Sequence, residues 1–322
     1  MVIISTRQVL DGSWTDVKVD GDKPLFYEVG PTGSFDYKDV TPISDATTAV
    51  QLLVDEAKRN MPVTPMIVVF VHGFKNSVPT AGVTAVAIYD ELGKLQLNPA
   101  MALLSWCSAG MLTRYKEDRS AAVASASVVS RIFEDFNSNE DIASGAVALN
   151  VIAHSMGNYL LDVACESIGL SSPAPARLFH HSISVAADVN RDDFNIGQQG
   201  DARCKQSFLM TFYYDGWDGT LEMSEIINHR ERFGKQGPHH WDRLNSNTLG
   251  VNCADVIRAH TGNPAEGARE VGVGIHSAYF GEPTFFDDLR QVFLGVSVGS
   301  MTTRVHPTDA PSNSFRLVRP TA

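Results

Sequence analysis

A serine hydroxyl is a weak nucleophile at neutral pH. It attacks carbon only beside a base whose tautomer and charge are fixed by a third group. Ser155 is the serine of this chain best suited to that chemistry. It stands in Ala153-His154-Ser155-Met156-Gly157, a G-x-S-x-G pattern with alanine in its first place. Small flanking residues let a strand and a helix approach closely across a sharp turn that exposes the serine, and alanine meets that need. An apolar stretch, Ala146 to Ala153, precedes the pattern, and a helix-period stretch with Leu160, Leu161, Ala164 and Ile168 follows it. In that context the five residues predict a nucleophilic Ser155.

A nucleophilic serine needs a base, and ten histidines are available. His276, in the glycine-containing stretch Gly274-Ile275-His276-Ser277, is the first choice, with His260 behind it. His154 adjoins Ser155, and a sharp turn would send its side chain elsewhere. His72, in His72-Gly73-Phe74 at the end of an apolar run, is expected to brace its loop rather than take the proton. Three aspartates could orient the base. Asp218, four residues past Tyr214, is favoured; Asp188 is the alternative and Asp215 the third. Asp188, followed by Asn190, Arg191, Asp192 and Asp193, would also suit a turn or helix cap. The amides of Phe74 and Met156 are the expected oxyanion donors. Lys75 lacks a glycine-rich phosphate cradle and reads as a solvated cation. Adjacent histidines such as His239-His240 rarely converge on one ion. No metal and no organic cofactor is expected.

These residues are positioned by alternating strands and helices. Met66–Val71 is continuously apolar, too short for a typical helix and suited to a strand buried on both faces. Further strands are predicted over 100–106, 146–153, 182–187, 208–214 and 249–257. Helices are predicted over 46–60, from Pro79, over 118–136, from Asn158 to a cap at Gly169, and over 221–228. A last helix opens at Thr284 with Asp287 as a capping box. The 118–136 helix is rich in Ala and Ser, as close helix–sheet packing allows. Such alternation implies a mostly parallel sheet with helices on both faces. Ligands then gather at the carboxyl ends of the strands, which carry His72, Trp106, Ser155, Asp188, Asp218 and, beyond the last strand, His276.

One domain is expected over 1–304. Within residues 1–60, β-structure is expected over 1–30, with strands at 13–19 and 25–29, then loops at 30–45 and a helix after them. The polar, irregular stretch 222–248 is expected to supply a cap or specificity loops, and 171–176 a loop. Residues 305–322, with three prolines, are expected as a tail extended over the surface or partly disordered.

Taken together, the motifs resemble a bacterial α/β-hydrolase family of unknown function. The family pattern is F-V-H-G-F-x-N, S-W-P-S, Y-x-x-D, A-H-S-M-G-N, an Asp after the next strand, D-x-x-L and a late H-S-x-Y. Here these are Phe70 to Asn76, Leu104 to Ser108, Tyr115 to Ala121, Ala153 to Asn158, Asp188, Asp218 to Leu221, and His276 to Tyr279. The resemblance spans roughly residues 66–295 and departs at Cys107, where the family commonly has proline. It implies the α/β-hydrolase fold and Ser155, Asp218 and His276 as the triad. The expected activity is hydrolysis of a small-molecule carboxylic ester through an acyl-enzyme. Thioester or amide hydrolysis would use the same groups, and a non-catalytic binding protein on this fold is the rival reading.

Composition narrows the partners. The chain has 322 residues, 43% hydrophobic, with 26 Lys and Arg against 37 Asp and Glu, a net charge of −11. That balance disfavours nucleic acid and anionic membrane surfaces. Four well-separated cysteines, none in a C-x-x-C pair, read as free thiols of a reducing compartment. No signal-peptide pattern opens the chain, and no apolar run approaches the ~20 residues of a membrane span. A cytoplasmic location is expected.

Overall fold

The computed structural model describes residues 1–10, 13–18, 23–29, 40–108, 114–170, 177–261 and 275–320. The loops expected at 30–39 and 171–176 lie outside them. The chain opens with β1 (Val2–Ser5), β2 (Arg7–Leu10), β3 (Ser13–Lys18), β4 (Leu25–Val29) and β5 (Val40–Ile43), followed by α1 (Ala46–Asn60). Next come β6 (Met66–Val71), α2 (Val78–Lys94), β7 (Ala100–Ser105), α3 (Tyr115–Ser138), α4 (Glu140–Ala143), β8 (Ala148–His154) and α5 (Met156–Gly169). The second half runs through β9 (Phe179–Val185), α6 (Asp201–Lys205), β10 (Ser207–Tyr214), α7 (Gly219–Asn228) and α8 (Phe233–Gln236). It ends with β11 (Thr248–Asn252), α9 (Ala254–Thr261), α10 (Pro283–Phe293), β12 (Arg304–Val305) and β13 (Ser314–Leu317).

Among the described residues, eleven strands form one sheet in the order β12-β13-β11-β10-β9-β8-β6-β7-β1-β4-β5, and β2 pairs with β3 as a separate hairpin. From β13 through β1 every neighbouring pair is parallel. Among the described residues, the antiparallel pairs of this sheet lie toward its edges, at β12–β13, β1–β4 and β4–β5. Alternation along β6 shows why the central strands are apolar throughout. Ile67, Val69 and Val71 face a core built with α1, α3 and α5, through Leu53, Ala122, Ile132 and Leu160. Met66, Val68 and Phe70 face a second core built with α2, α9 and α10, through Ile88, Ile257 and Phe285. The small Ala122, Ser125 and Ala126 are buried on α3, where they admit close approach.

Several expectations need correction. Val2–Ser5 lies in the β-structure expected over 1–30 but is not singled out there; it is a fully buried parallel strand beside β7, and four residues give too short a period to detect. Residues 40–43, expected as loop, form edge strand β5, whose Pro42 is tolerated because an edge leaves one side unpaired. The strand expected over 249–257 stops at Asn252, whose side chain accepts from the Ala254 N–H at 3.0 Å and starts α9. α10 is capped by Glu282, which accepts from the Thr284 N–H, with Pro283 in its first turn; Thr284 is itself buried. Gly169 lies inside α5 rather than capping it. The stretch 305–322, expected as a surface tail, contributes β13, which pairs in parallel with β11. Its Pro307 and Pro311 fall in the connection between β12 and β13. All four cysteines are buried free thiols, and no described helix is long and apolar enough to cross a membrane.

Candidate active site

Ser155 occupies the turn between β8 and α5 with φ 54° and ψ −125°. A side chain in that region is strained by roughly 1–3 kcal/mol and persists only when its surroundings over-determine it. Here they do. The Ser155 N–H donates to the Val185 carbonyl at 3.0 Å, and the Ser155 carbonyl accepts from the Asp188 N–H at 3.2 Å and the Asn158 N–H at 3.1 Å. The Asn158 side-chain amide also donates to the Ala153 carbonyl at 2.9 Å and the Ser155 carbonyl at 3.2 Å. Its oxygen accepts from buried Arg203 at 2.9 Å, and that guanidinium reaches Asp162 at 3.2 Å and Ser182 at 2.7 Å. Gly157 is required by contact: a Cβ there would fall 2.5 Å from the His72 carbonyl oxygen.

His276 and Asp218 meet directly. His276 Nδ1–H donates to Asp218 Oδ2 at 2.6 Å, with both side chains buried. The other carboxylate oxygen, Oδ1, accepts from the Thr220 and Leu221 N–H groups at 3.0 Å each. Asp218 is therefore also the N-cap of α7, whose dipole favours an anion at that end. Burial alone would lower the His276 pKa, but the charge and hydrogen bond of Asp218, with the charge of Asp188, raise it above its usual 6.5. With Nδ1–H committed to Asp218, Nε2 is the nitrogen left to accept a proton.

The loop after β6 packs on the serine. A Cβ on Gly73 would lie 2.7 Å from Ser155 Cβ, so only glycine fits. Within this loop His72 Nδ1–H donates to the Gly73 carbonyl at 2.8 Å, while Nε2 accepts from the Trp106 N–H at 3.1 Å. Those partners select the neutral Nδ1–H tautomer. Burial, then the charge of Arg7, push the His72 pKa down to about 3. Neither the Phe74 nor the Met156 N–H has an acceptor among the described residues. Met156 opens α5, so its amide lies at a positive helix end.

The remaining candidates have other partners. Asp188 lies in a buried cluster, accepting from Tyr115 at 2.7 Å and from Ser224, with Arg232 Nε 3.3 Å away. Asp215 accepts from the Trp217 N–H at 2.9 Å, and burial raises its pKa to about 6. His260 pairs with Glu282 at 3.2 Å, and half-exposed His239 with Glu231 at 2.7 Å. His154 does not turn away as expected. Its Nε2–H donates to the His276 carbonyl at 3.0 Å, and the two rings lie 4.6 Å apart. Burial holds His154 neutral, with a pKa down to about 3.

The stretch 222–248 is more regular than its composition implied. It holds α8 and a 3-10 turn at Trp241–Arg243, and Arg191 ties it down by donating to the Gly237 and Pro238 carbonyls. Among the described residues, no group of three His, Cys, Asp or Glu side chains is arranged to hold a metal. A cavity of about 340 Å³ lined by Met1, Glu28, Glu56, Arg59 and Tyr89 includes none of these site groups. Sequence reasoning missed Arg7, Arg203 and Arg232. Each acts through distant partners, so a local motif carries no signal for it.

A family model described as alpha/beta hydrolase of unknown function (DUF900) matches residues 51–269. Solved structures similar to this chain include Aspergillus fumigatus lipase B, at 14% identity and TM-score 0.40, covering 81% of this chain and 61% of that one. A cutinase-like protein from Cryptococcus sp. has 14% identity and TM-score 0.38, covering 73% of this chain and 98% of that one. A Trichoderma reesei cutinase has 12% identity and TM-score 0.31, covering 51% and 73%. A comparison with curated proteins finds no match.

Proposed function

The chain belongs to the family of alpha/beta hydrolases of unknown function whose model matches residues 51–269, and on that premise we propose that it is a serine hydrolase of carboxylic esters. Its fold is the α/β-hydrolase fold, a mostly parallel sheet with helices on both faces. The observation that carries the proposal is the 2.6 Å His276–Asp218 hydrogen bond, whose histidine carbonyl is held by the residue preceding the strained Ser155.

In this reading Ser155 Oγ attacks the ester carbonyl and passes its proton to His276 Nε2. Asp218 keeps Nδ1 protonated and stabilises the imidazolium that forms. The N–H groups of Phe74 and Met156 take the oxyanion, aided by the dipole of α5. His276 then protonates the leaving alcohol, and water cleaves the acyl-enzyme by the reverse proton path. Trp217, just before the Asp218 cap, and Met223 and Ile226 of α7 are exposed apolar side chains, and this reading assigns the acyl group to them. Specificity contacts are assigned to 222–248.

The test is turnover of a short-chain aryl ester together with fluorophosphonate labelling. Wild-type protein is expected to be labelled at Ser155 and to turn over, and S155A to do neither. An unlabelled Ser155 in a folded, non-hydrolysing wild type would sink the enzyme reading in favour of a binding protein.

A further inference from the structure

Arg7 belongs to the β2–β3 hairpin, outside the matched residues 51–269 and outside every sequence motif. Its side chain is nonetheless only 3% exposed. A buried guanidinium is tolerated when its fork of five donors is well used. Here the fork binds oxygens of the loops around the site. Nη2 donates to the Asn76 carbonyl at 2.6 Å. Nη1 donates to the carbonyls of Ser108 at 3.1 Å and Thr15 at 3.3 Å, and Nε to Ser105 Oγ at 3.1 Å. One rigid cation therefore ties the loop after β6 to the loop after β7 and to the hairpin.

The tie reaches the expected oxyanion donor in one more step. Asn76 Nδ2 donates to the carbonyls of Gly73 at 3.2 Å and Phe74 at 3.0 Å. The Gly73 carbonyl and the Phe74 N–H share a peptide plane, and in a trans peptide they point in opposite directions. Holding that carbonyl from one side, with Asn76 and His72 Nδ1, aims the Phe74 N–H to the other. Gly73 is the residue pressed against Ser155.

We propose that Arg7 is a positioning residue for the oxyanion loop: it fixes the Asn76 carbonyl and, through Asn76, the peptide plane that presents the Phe74 N–H beside Ser155. The inference rests on the serine-hydrolase reading and makes the N-terminal hairpin part of the catalytic apparatus. The Arg7 charge also helps keep His72 neutral, the form whose two nitrogens brace the same loop.

The test compares Arg7→Met and Arg7→Lys with wild type in three measurements. These are kcat and KM on an aryl ester, affinity for an aryl trifluoromethyl ketone that forms a tetrahedral oxyanion on Ser155, and backbone hydrogen exchange over residues 72–77. Rates are normalised to the fraction labelled by fluorophosphonate, which removes any loss from misfolding. R7M is expected to lose about 10–100-fold in kcat with KM changed less than about threefold. Ketone affinity should weaken in parallel and exchange over 73–76 should rise. R7K, a point charge without the fork, should fall between. If R7M does not fold, Asn76→Ala breaks the second link and is read in the same way. Per-site kcat, ketone affinity and loop exchange all at wild-type values would overturn the proposal, as would a kcat loss that left ketone affinity intact. If wild type is itself neither labelled nor active, the serine-hydrolase reading fails. The exchange measurement then still decides whether Arg7 orders the loop.

Discussion

At the scale of single residues, the two carboxylates near His276 divide their labour. Asp218 accepts the Nδ1–H, whereas Asp188 is committed to Tyr115, Ser224 and Arg232. D218N is therefore expected to lower kcat by roughly 10³–10⁴-fold, as when a triad acid loses its charge. D188N instead leaves a buried Arg232 cation without its partner. It should cost on the order of 3–5 kcal/mol of stability while the folded fraction keeps most of its turnover. Steady-state kinetics beside urea titrations distinguish the two, and a larger per-site kcat loss at position 188 than at 218 would reverse the assignment. The pH profile gives a second readout. As the proposed base, His276 must be neutral to take a proton, so kcat/KM is expected to rise with pH through its pKa. That pKa lies above 6.5 because Asp218 and Asp188 outweigh burial, so the midpoint should lie above 6.5 in wild type and move down in D218N. Linkage has the matching sign: the stabilising contribution of His276 is fully present below pH 6.5 and is lost as pH rises through its folded value.

At the scale of elements, Asp218 shows how a turn does two tasks. Its Oδ1 caps α7 while its Oδ2 holds His276. Asparagine is a good N-cap and alanine is not. D218A should therefore add about 0.5–2 kcal/mol of destabilisation to the catalytic defect of D218N. Equal denaturation midpoints for the two variants would mean that the cap contributes nothing. The same element view explains what was legible in the sequence. Strands β6, β7 and β8 are buried on both faces, so they read as short apolar runs, and the polar residues that stop those runs mark the carboxyl edge. The α9 segment misled because Val251, Val256 and Ile257 are β-branched on both sides of Asn252, and a side-chain cap rather than a change of composition marks the boundary. Which aspartate His276 meets was open, since three stood at strand ends and only the placement of His276 itself chooses among them. Arg7 had no local signature at all: its partners lie up to 101 residues away.

At the scale of the molecule, the sheet must end somewhere, and each end is managed differently. On one side β5 is four residues long and carries Pro42, both of which discourage further pairing. On the other, β13 covers β11 and β12 covers β13. That cover is fastened from below. Arg304 makes a bidentate contact with Asp288 of α10, at 2.9 Å to Oδ1 and 2.7 Å to Oδ2, and both are buried. Tyr213 and Thr303 donate to the same carboxylate at 2.6 Å each. Tyr213 lies on β10, the strand that leads to Asp215 and Asp218, so Thr303 and Arg304 help brace the strand behind the proposed acid. Arg304→Met should strand the Asp288 charge and cost roughly 3–5 kcal/mol. Deletion of 304–322 should cost more, because it also opens the β11 edge to pairing with other chains. Thermal melts with light scattering measure both effects. Equal midpoints and scattering for R304M and the deletion would show that the ion pair alone fastens this edge. A deletion that melts like wild type would mean that residues 304–322 contribute nothing to stability, as expected of a surface tail over 305–322.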